Sequence, residues 1–193
     1  MPDIEPARLP DVVIRGIRAA DGAGLQAFHR GLSDETVRNR FFGAHPSLSD
    51  KEVVRFTSLV PGGELALVAT VGDQIVAVGR YVPFGGGGAA EVAFVVTDDY
   101  QHHGIGRSLL KLLARLAWDD GIRRFVADTF ASNRSMLGVF LHTPTAVTVL
   151  TTRRDGSVVH LVMQITRPSR LSTSISGTGP RSVYHVIPPS ISD

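Results

Sequence analysis

The sequence predicts an α+β domain whose central sheet is mixed, mostly antiparallel, and flanked by helices. Two observations lead to this prediction. Helix signals cluster in the first third of the chain, and three strands separated by short glycine-containing turns follow them. After residue 100 the order changes to helix, strand, helix and hairpin, which favours a mixed sheet.

The first third of the chain predicts one strand and three helices. Residues 12–18 are expected to form the strand, and residues 21–32 a helix with Asp21 as its N-cap. A second helix is expected over residues 33–42, with acidic residues in its first turn. The Ser-x-x-Glu spacing at Ser49 is that of a capping box, so a third helix should start there and end before Pro61.

A three-stranded meander follows the helices. Its strands are expected at Leu65–Val71, Gln74–Phe84 and Ala89–Val96. The four glycines 85–88 resemble a phosphate-binding loop in composition. Because no helix follows them, a flexible hairpin tip is the favoured interpretation.

The second half of the chain predicts a long amphipathic helix over residues 104–120. One buried face is indicated by an apolar stripe at helical spacing, formed by Ile105, Leu109, Leu112, Leu113 and Leu116. A strand at Arg124–Phe130 and a helix over residues 133–141 come next. A last hairpin is expected from residues 147–152 and 158–166.

The chain of 193 residues is long enough for one domain with a substantial core. We expect an N-terminal extension at residues 1–11, a folded domain at 12–167 and a tail at 168–193. The tail is rich in Ser, Pro and Gly and is expected outside the domain core, although its short apolar segment at 183–187 offers a docking point.

Composition excludes several classes of protein. The net charge of +2 and the scattered basic residues argue against nucleic acid as a partner. The absence of Cys excludes disulfides, thiolate metal sites and a cysteine nucleophile. An acidic N-terminus without a following apolar run argues against a signal peptide or membrane span, so we expect a soluble, cytoplasmic protein, either a monomer or a homodimer.

One motif carries a chemical prediction. Gln101-x-x-Gly104-x-Gly106 lies between a strand and the long helix. Such a helix start presents free N–H groups and the positive end of the helix dipole, which suit a diphosphate. Taken alone, the Gln-x-x-Gly-x-Gly motif also fits an ordinary turn before a helix. A dinucleotide-binding loop would need glycine at Leu109, and a Walker loop would need Gly-Lys-Ser or Gly-Lys-Thr.

In context, this motif resembles the signature of the GNAT family of N-acetyltransferases. The resemblance spans roughly residues 12–166 and includes the Arg-Ala-Ala-Asp opening at residues 18–21. Residues 32–36, 40–42 and 90–96 are most similar to the bacterial protein lysine acetyltransferases. The resemblance implies the GNAT fold, in which two splayed strands hold an acyl-CoA, and acetyl-CoA as co-substrate without a metal.

The resemblance also implies which residues hold the cofactor. The backbone near Phe94, Val95 and Val96 would pair with the pantetheine arm, because the splayed strand edge offers unpaired N–H and C=O groups. Asn133 and Met136 would approach it from the following helix. The diphosphate would lie on the loop and helix start formed by Gln101, His102, His103, Gly104, Ile105, Gly106 and Arg107.

Glu91 is the expected general base. Its carboxylate begins an otherwise apolar strand, and partial burial would raise its pKa toward the working pH. Without the resemblance, an ordinary exposed glutamate is the favoured interpretation. The family's protein acetyltransferase branch has a catalytic Glu in this strand. Many family members have a Tyr at the position of Phe140, and that Tyr gives a proton to the leaving thiolate. Phe140 has no hydroxyl group, so the thiolate would lack this proton donor.

The expected activity is direct transfer of an acetyl group to a primary amine, and the resemblance suggests a protein lysine side chain. A polyamine or aminoglycoside acceptor and a non-catalytic acyl-CoA sensing module are the alternatives. Adjacent side chains at His102 and His103 should diverge, which argues against a metal site. Arg38 and Arg40 fit either a solvated surface or a role in binding a peptide or the cofactor.

Overall fold

Eight strands form a single sheet in the computed structural model, which describes residues 11–58, 63–86, 88–167 and 185–187. The strands are β1 (Val12–Gly16), β2 (Leu65–Val71), β3 (Gln74–Phe84), β4 (Ala89–Val96), β5 (Arg124–Phe130), β6 (Val147–Asp155), β7 (Val158–Ile165) and β8 (His185–Ile187). Their order across the sheet is β6-β7-β5-β4-β3-β2-β1-β8. Only the β4–β5 and β1–β8 pairs among them are parallel, so the predicted α+β class with a mixed, mostly antiparallel sheet is confirmed.

Helices cover both faces of this sheet. They are α1 (Gly22–Arg30), α2 (Asp34–Phe41), α3 (Asp50–Thr57), α4 (Ile105–Asp119) and α5 (Arg134–Leu141). Two separate apolar clusters lie on the two sides, one under α1–α3 and one under α4 and α5, and alternate residues of β2 belong to one or the other. We call the two sides of the sheet the α1–α3 face and the α4–α5 face.

The parallel pair β4 and β5 produces the main opening in the sheet. The two strands pair over only three residues each, Ala89–Glu91 with Arg124–Val126. Beyond this point β5 continues to pair with β7 and β4 continues to pair with β3, but not with each other. The carboxyl-terminal half of β4 therefore has one open edge.

A glycine in β3 allows α4 to pack closely against the sheet. A Cβ added at Gly79 would lie 2.9 Å from the Phe94 ring and 3.2 Å from Leu113. The missing side chain leaves room for both apolar groups.

The predicted helices and strands are largely confirmed, with differences at several of their ends. Residues 17 and 18 lie outside β1. The Asp21 side chain does not cap α1. It accepts a hydrogen bond from the Arg18 N–H and forms an ion pair with Arg15 through two 2.7 Å hydrogen bonds. Helix α2 ends before Phe42, whose φ of 59° is left-handed. Strand β6 extends to Asp155, three residues beyond its predicted end, because it pairs with β7 up to the hairpin turn.

The expected extension lies outside the described residues except at Asp11, and most of the expected tail lies outside them as well. One short piece of the tail is described: the backbone of His185–Ile187 pairs in parallel with β1. The apolar segment at 183–187 thus includes residues that join the sheet edge. The division of the chain at residues 11 and 167 stays a prediction.

Candidate functional site

A cleft of about 680 Å³ lies where β4 and β5 part. Residues of α2, β4, the 98–107 segment, β5 and α5 line it. Because it passes through the opening in the sheet, the cleft connects the α4–α5 face with the α1–α3 face.

The start of α4 forms one wall of the cleft. Gly104, the N-cap residue, has a left-handed φ of 83° and no side chain with which to cap the helix. The Ser108 N–H donates to the Gly104 carbonyl at 3.0 Å, so the N–H groups of residues 105–107 have no acceptor within the helix. They lie at the positive end of the α4 dipole, an arrangement suited to an anionic diphosphate.

Gly106 has a packing role besides the predicted one. A Cβ at this position would lie 3.2 Å from Val139 of α5, a tight contact. Its missing side chain therefore allows α5 to approach the first turn of α4. The sequence alone indicated only the need for a phosphate to approach the backbone.

Asp98 ties α2 to the 98–107 segment. Its carboxylate accepts from the Ser33 N–H at 3.2 Å, the Ser33 hydroxyl at 2.8 Å and the Thr36 hydroxyl at 2.9 Å. Desolvation opposes ionisation, but the Ser33 and Thr36 hydrogen bonds outweigh it and hold the pKa of Asp98 below its ordinary value. Sequence reasoning missed this connection; its only signal was an acid directly after a strand.

Gln101 extends the same connection. Its side-chain amide donates to the Val96 carbonyl and to the Thr36 hydroxyl, both at 3.2 Å. The side chain therefore positions β4 against α2. The residue still lines the cleft, but its amide donors are engaged within the protein.

The remaining predicted cofactor residues fall into two groups. Phe94, Val95 and Val96 line the open edge of β4, and Ile105, Arg107, Asn133 and Met136 line the cleft from the helices. Asn133 caps α5, its side-chain oxygen accepting from the Met136 N–H at 3.0 Å. His102 also lines the cleft, with a left-handed φ of 63°, whereas His103 does not.

The structure contradicts the expected environment of Glu91. Ala90 and Val92 point into the core under α4, so Glu91 lies on the α1–α3 face, where its side chain is exposed. It does not line the cleft. The prediction of partial burial is therefore wrong, whereas the role of Glu91 as a base stays a prediction.

A second acid on the same face does line the cleft. Asp128 of β5 lies opposite His160 of β7 in the sheet register, and its carboxylate is 2.7 Å from Nδ1 of that histidine. Such a pair orients the imidazole and leaves Nε2 for another partner. Sequence reasoning missed it, because the two residues come together only through strand pairing.

Phe140 and Phe94 form an apolar part of the cleft wall on the α4–α5 face, where Phe140 is 2% exposed and its ring lies 5.9 Å from that of Phe94. No phenol hydroxyl is present at Phe140. Thr129 also lines the cleft, and its hydroxyl is buried without a hydrogen-bond partner within the described ranges.

The described part of the chain contains neither a membrane-spanning helix nor a cluster of metal-binding side chains. None of its helices has both the length and the apolar character needed to span a membrane. Within the same residues, no group of three or more His, Asp or Glu side chains is placed to hold a metal ion.

Comparisons with known proteins point to one family. The model of the family described as "Acetyltransferase (GNAT) family" matches residues 32–142. An acetyltransferase of Pseudomonas aeruginosa is 29% identical over 129 residues, which cover 65% of this chain and 69% of that protein.

Two solved structures illustrate the match. The GNAT domain of S. lividans PAT is 35% identical with a TM-score of 0.71, covering 79% of this chain and 89% of that one. YncA, a putative acetyltransferase from Salmonella typhimurium solved with its cofactor acetyl-CoA, shares the fold at 17% identity and a TM-score of 0.64, covering 86% of this chain and 99% of that one.

Proposed function

The chain belongs to the GNAT family of acetyltransferases, and on this premise we propose that it transfers the acetyl group of acetyl-CoA to the side-chain amine of a protein lysine. Acetyl-CoA-dependent N-acetylation follows from the family. The lysine acceptor is supported by the resemblance of residues 32–36, 40–42 and 90–96 to bacterial protein lysine acetyltransferases.

One observation carries the proposal: β4 and β5 part in front of a helix start that has no side-chain cap. The start of α4 would hold the diphosphate, with Gly104 supplying the left-handed turn. The open edge of β4 near Val95 would hydrogen-bond the amides of the pantetheine arm. Acetyl-CoA supplies the reactive thioester.

The amine would enter from the α1–α3 face, because α4 and α5 close the other side of the cleft. A backbone N–H near Val95 would donate to the thioester oxygen as charge builds there. The neutral amine would attack the carbonyl carbon directly, and the C–S bond would break as the thiolate leaves. Phe140 has no proton to give, so the thiolate would leave unassisted or take its proton from water.

Two acids on the α1–α3 face are candidates to remove the ammonium proton. We retain Glu91, which would act through water because it lies just outside the lining of the cleft. The pair of Asp128 and His160 is the second candidate, favoured by the position of Asp128 within the cleft and the 2.7 Å contact.

Mass spectrometry of a lysate incubated with the protein and isotope-labelled acetyl-CoA tests the transfer and identifies the acceptor. Label on protein lysines supports the proposal. Label on small amines alone would replace the lysine acceptor with a polyamine or aminoglycoside. Binding of acetyl-CoA without transfer to any amine would favour the sensing module.

Single substitutions then separate the two bases. We expect Glu91→Gln to lower kcat by about 10²-fold or more while acetyl-CoA binding is retained. Asp128→Asn tests the second candidate in the same way, and Asp155→Asn, an exposed acid at the β6–β7 turn, is the matched control. Unchanged turnover in Glu91→Gln together with a loss in Asp128→Asn would transfer the assignment to the Asp128 and His160 pair.

A further inference from the structure

Arg40 lies in the last turn of α2, at the junction of two cavities. It lines the large cleft from the α1–α3 face and also a small cavity of about 40 Å³ between α1, α3 and the sheet. Val95 is the other residue that lines both. The guanidinium is therefore on the side of the cleft from which the amine would enter.

This guanidinium has no counter-anion in direct contact. Throughout the described ranges it makes neither a hydrogen bond nor an ion pair, and its ring contact is with Phe41 at 5.2 Å. Other half-buried or buried arginines do have partners: Arg15 pairs with Asp21 at 2.7 Å and Arg80 with Glu64 at 3.0 Å. Arg40 is thus a half-buried cation that lines the cleft without an anion in contact with it.

The surroundings of Arg40 make an added anion favourable. Desolvation and the nearby Arg80 lower the pKa of Arg40 to about 10, and Glu91 only partly offsets them. The group remains charged at neutral pH. The attraction of a carboxylate placed against it would offset both the cost of desolvation and the repulsion from Arg80, and the planar guanidinium can donate two parallel hydrogen bonds to it.

Acetyl-CoA does not provide that anion. Its phosphates belong at the start of α4, whereas Arg40 lines the cleft together with Val95 and lines the small cavity together with Arg80. The pantetheine arm and acetyl group that would reach this region are uncharged. The acceptor is therefore the substrate that could supply an anion here.

We propose that Arg40 binds a carboxylate of the acceptor, so that the preferred acceptors are amines with an acidic group close to the reacting nitrogen. This rests on the proposed acetyltransferase function. It disfavours polyamines and aminoglycosides, whose additional positive charges would be repelled by Arg40. The carboxylate has two sources, an acidic residue beside a protein lysine or the free carboxylate of an amino acid.

Two pairs of acceptors test the proposal and separate these sources. The first pair is a capped lysine peptide with a neighbouring Glu or Gln, and the second is leucine and leucinamide. Thiol release gives kcat/KM for each with the wild type, Arg40→Gln and Arg40→Lys. Arg38→Gln is the matched control, because Arg38 is an exposed residue of the same helix that does not line the cleft.

We expect the wild type to prefer the acidic member of one pair, and Arg40→Gln to reduce that preference roughly tenfold to a hundredfold, the range of a hydrogen bond between charged groups. Arg40→Lys should retain part of it and Arg38→Gln all of it. Acetyl-CoA affinity, measured by calorimetry, should be unchanged in Arg40→Gln.

Three results would overturn the proposal: no preference for the acidic member of either pair, a preference that survives in Arg40→Gln, or a loss of acetyl-CoA affinity in that variant. The last result would assign Arg40 to the cofactor. Bound acetyl-CoA without transfer to any of the four acceptors would instead contradict the proposed function, and this inference with it.

Discussion

Gly104 and Gly121 lie just before and just after α4 and have nearly the same backbone conformation, with φ of 83° and 81°. In the left-handed region a Cβ costs about 1–2 kcal/mol, so each Gly→Ala substitution should destabilise the protein by that amount. For a domain of this length the loss corresponds to a decrease in Tm of roughly 2–8 °C. Thermal unfolding followed by circular dichroism measures it.

The two substitutions should differ in cofactor binding. Gly104 precedes the N–H groups of residues 105–107, whereas Gly121 lies at the opposite end of the helix, away from the cleft. If strain at Gly104→Ala displaces one donor to the diphosphate, CoA affinity should fall roughly tenfold to a hundredfold by calorimetry. Gly121→Ala should bind CoA like the wild type. Equal CoA affinities in the two variants would contradict a role of the Gly104 turn in presenting these donors to the diphosphate.

Three further predictions concern stability. Burial, and to a lesser extent His45, lower the pKa of His29 in the folded protein. Below about pH 6.5 the unfolded state therefore binds more protons, and the free energy of unfolding should decrease as the pH falls. Denaturant titrations of His29→Leu should show a smaller decrease. Asp98→Asn should lower the free energy of unfolding by about 1 kcal/mol, the scale of one weakened hydrogen bond at an exposed site. Because the pKa of Asp98 is lowered, its contribution exists above about pH 4 and disappears as pH falls through the lower folded-state pKa, so wild type and variant should converge in acid. Gly79→Ala should cost about 1–3 kcal/mol in urea unfolding through overpacking against Phe94, and a neutral result would contradict the close contact.

The strands of the meander could be predicted to the residue because their signals are local. Alternating or continuous apolar residues between turn residues predict the strands Leu65–Val71 and Gln74–Phe84. The apolar stripe at helical spacing predicts α4. The parting of β4 and β5 was expected only through the resemblance. No local pattern in either strand specifies where their pairing stops, because strand pairing joins segments that are far apart in the sequence.

Side-chain environments were harder to predict than secondary structure. Glu91 was expected to be partly buried because its strand is apolar, but its exposure depends on what covers the α1–α3 face, which the strand does not encode. Asp128 and His160 are 32 residues apart and meet only through sheet register. Gln101 matched the motif, yet the partners of its side chain lie on β4 and α2.

The hydrogen bonds that join α2 to the 98–107 segment bear on the order in which substrates bind. Thr36 accepts from Gln101 and donates to Asp98, so a diphosphate held on the adjacent helix start would also fix the helix that carries Arg40. We therefore expect acetyl-CoA to be the obligatory first substrate. Double-reciprocal plots of initial velocity should intersect. A dead-end analogue of the acceptor should be an uncompetitive inhibitor when acetyl-CoA is the varied substrate. A random order of binding would give noncompetitive inhibition instead.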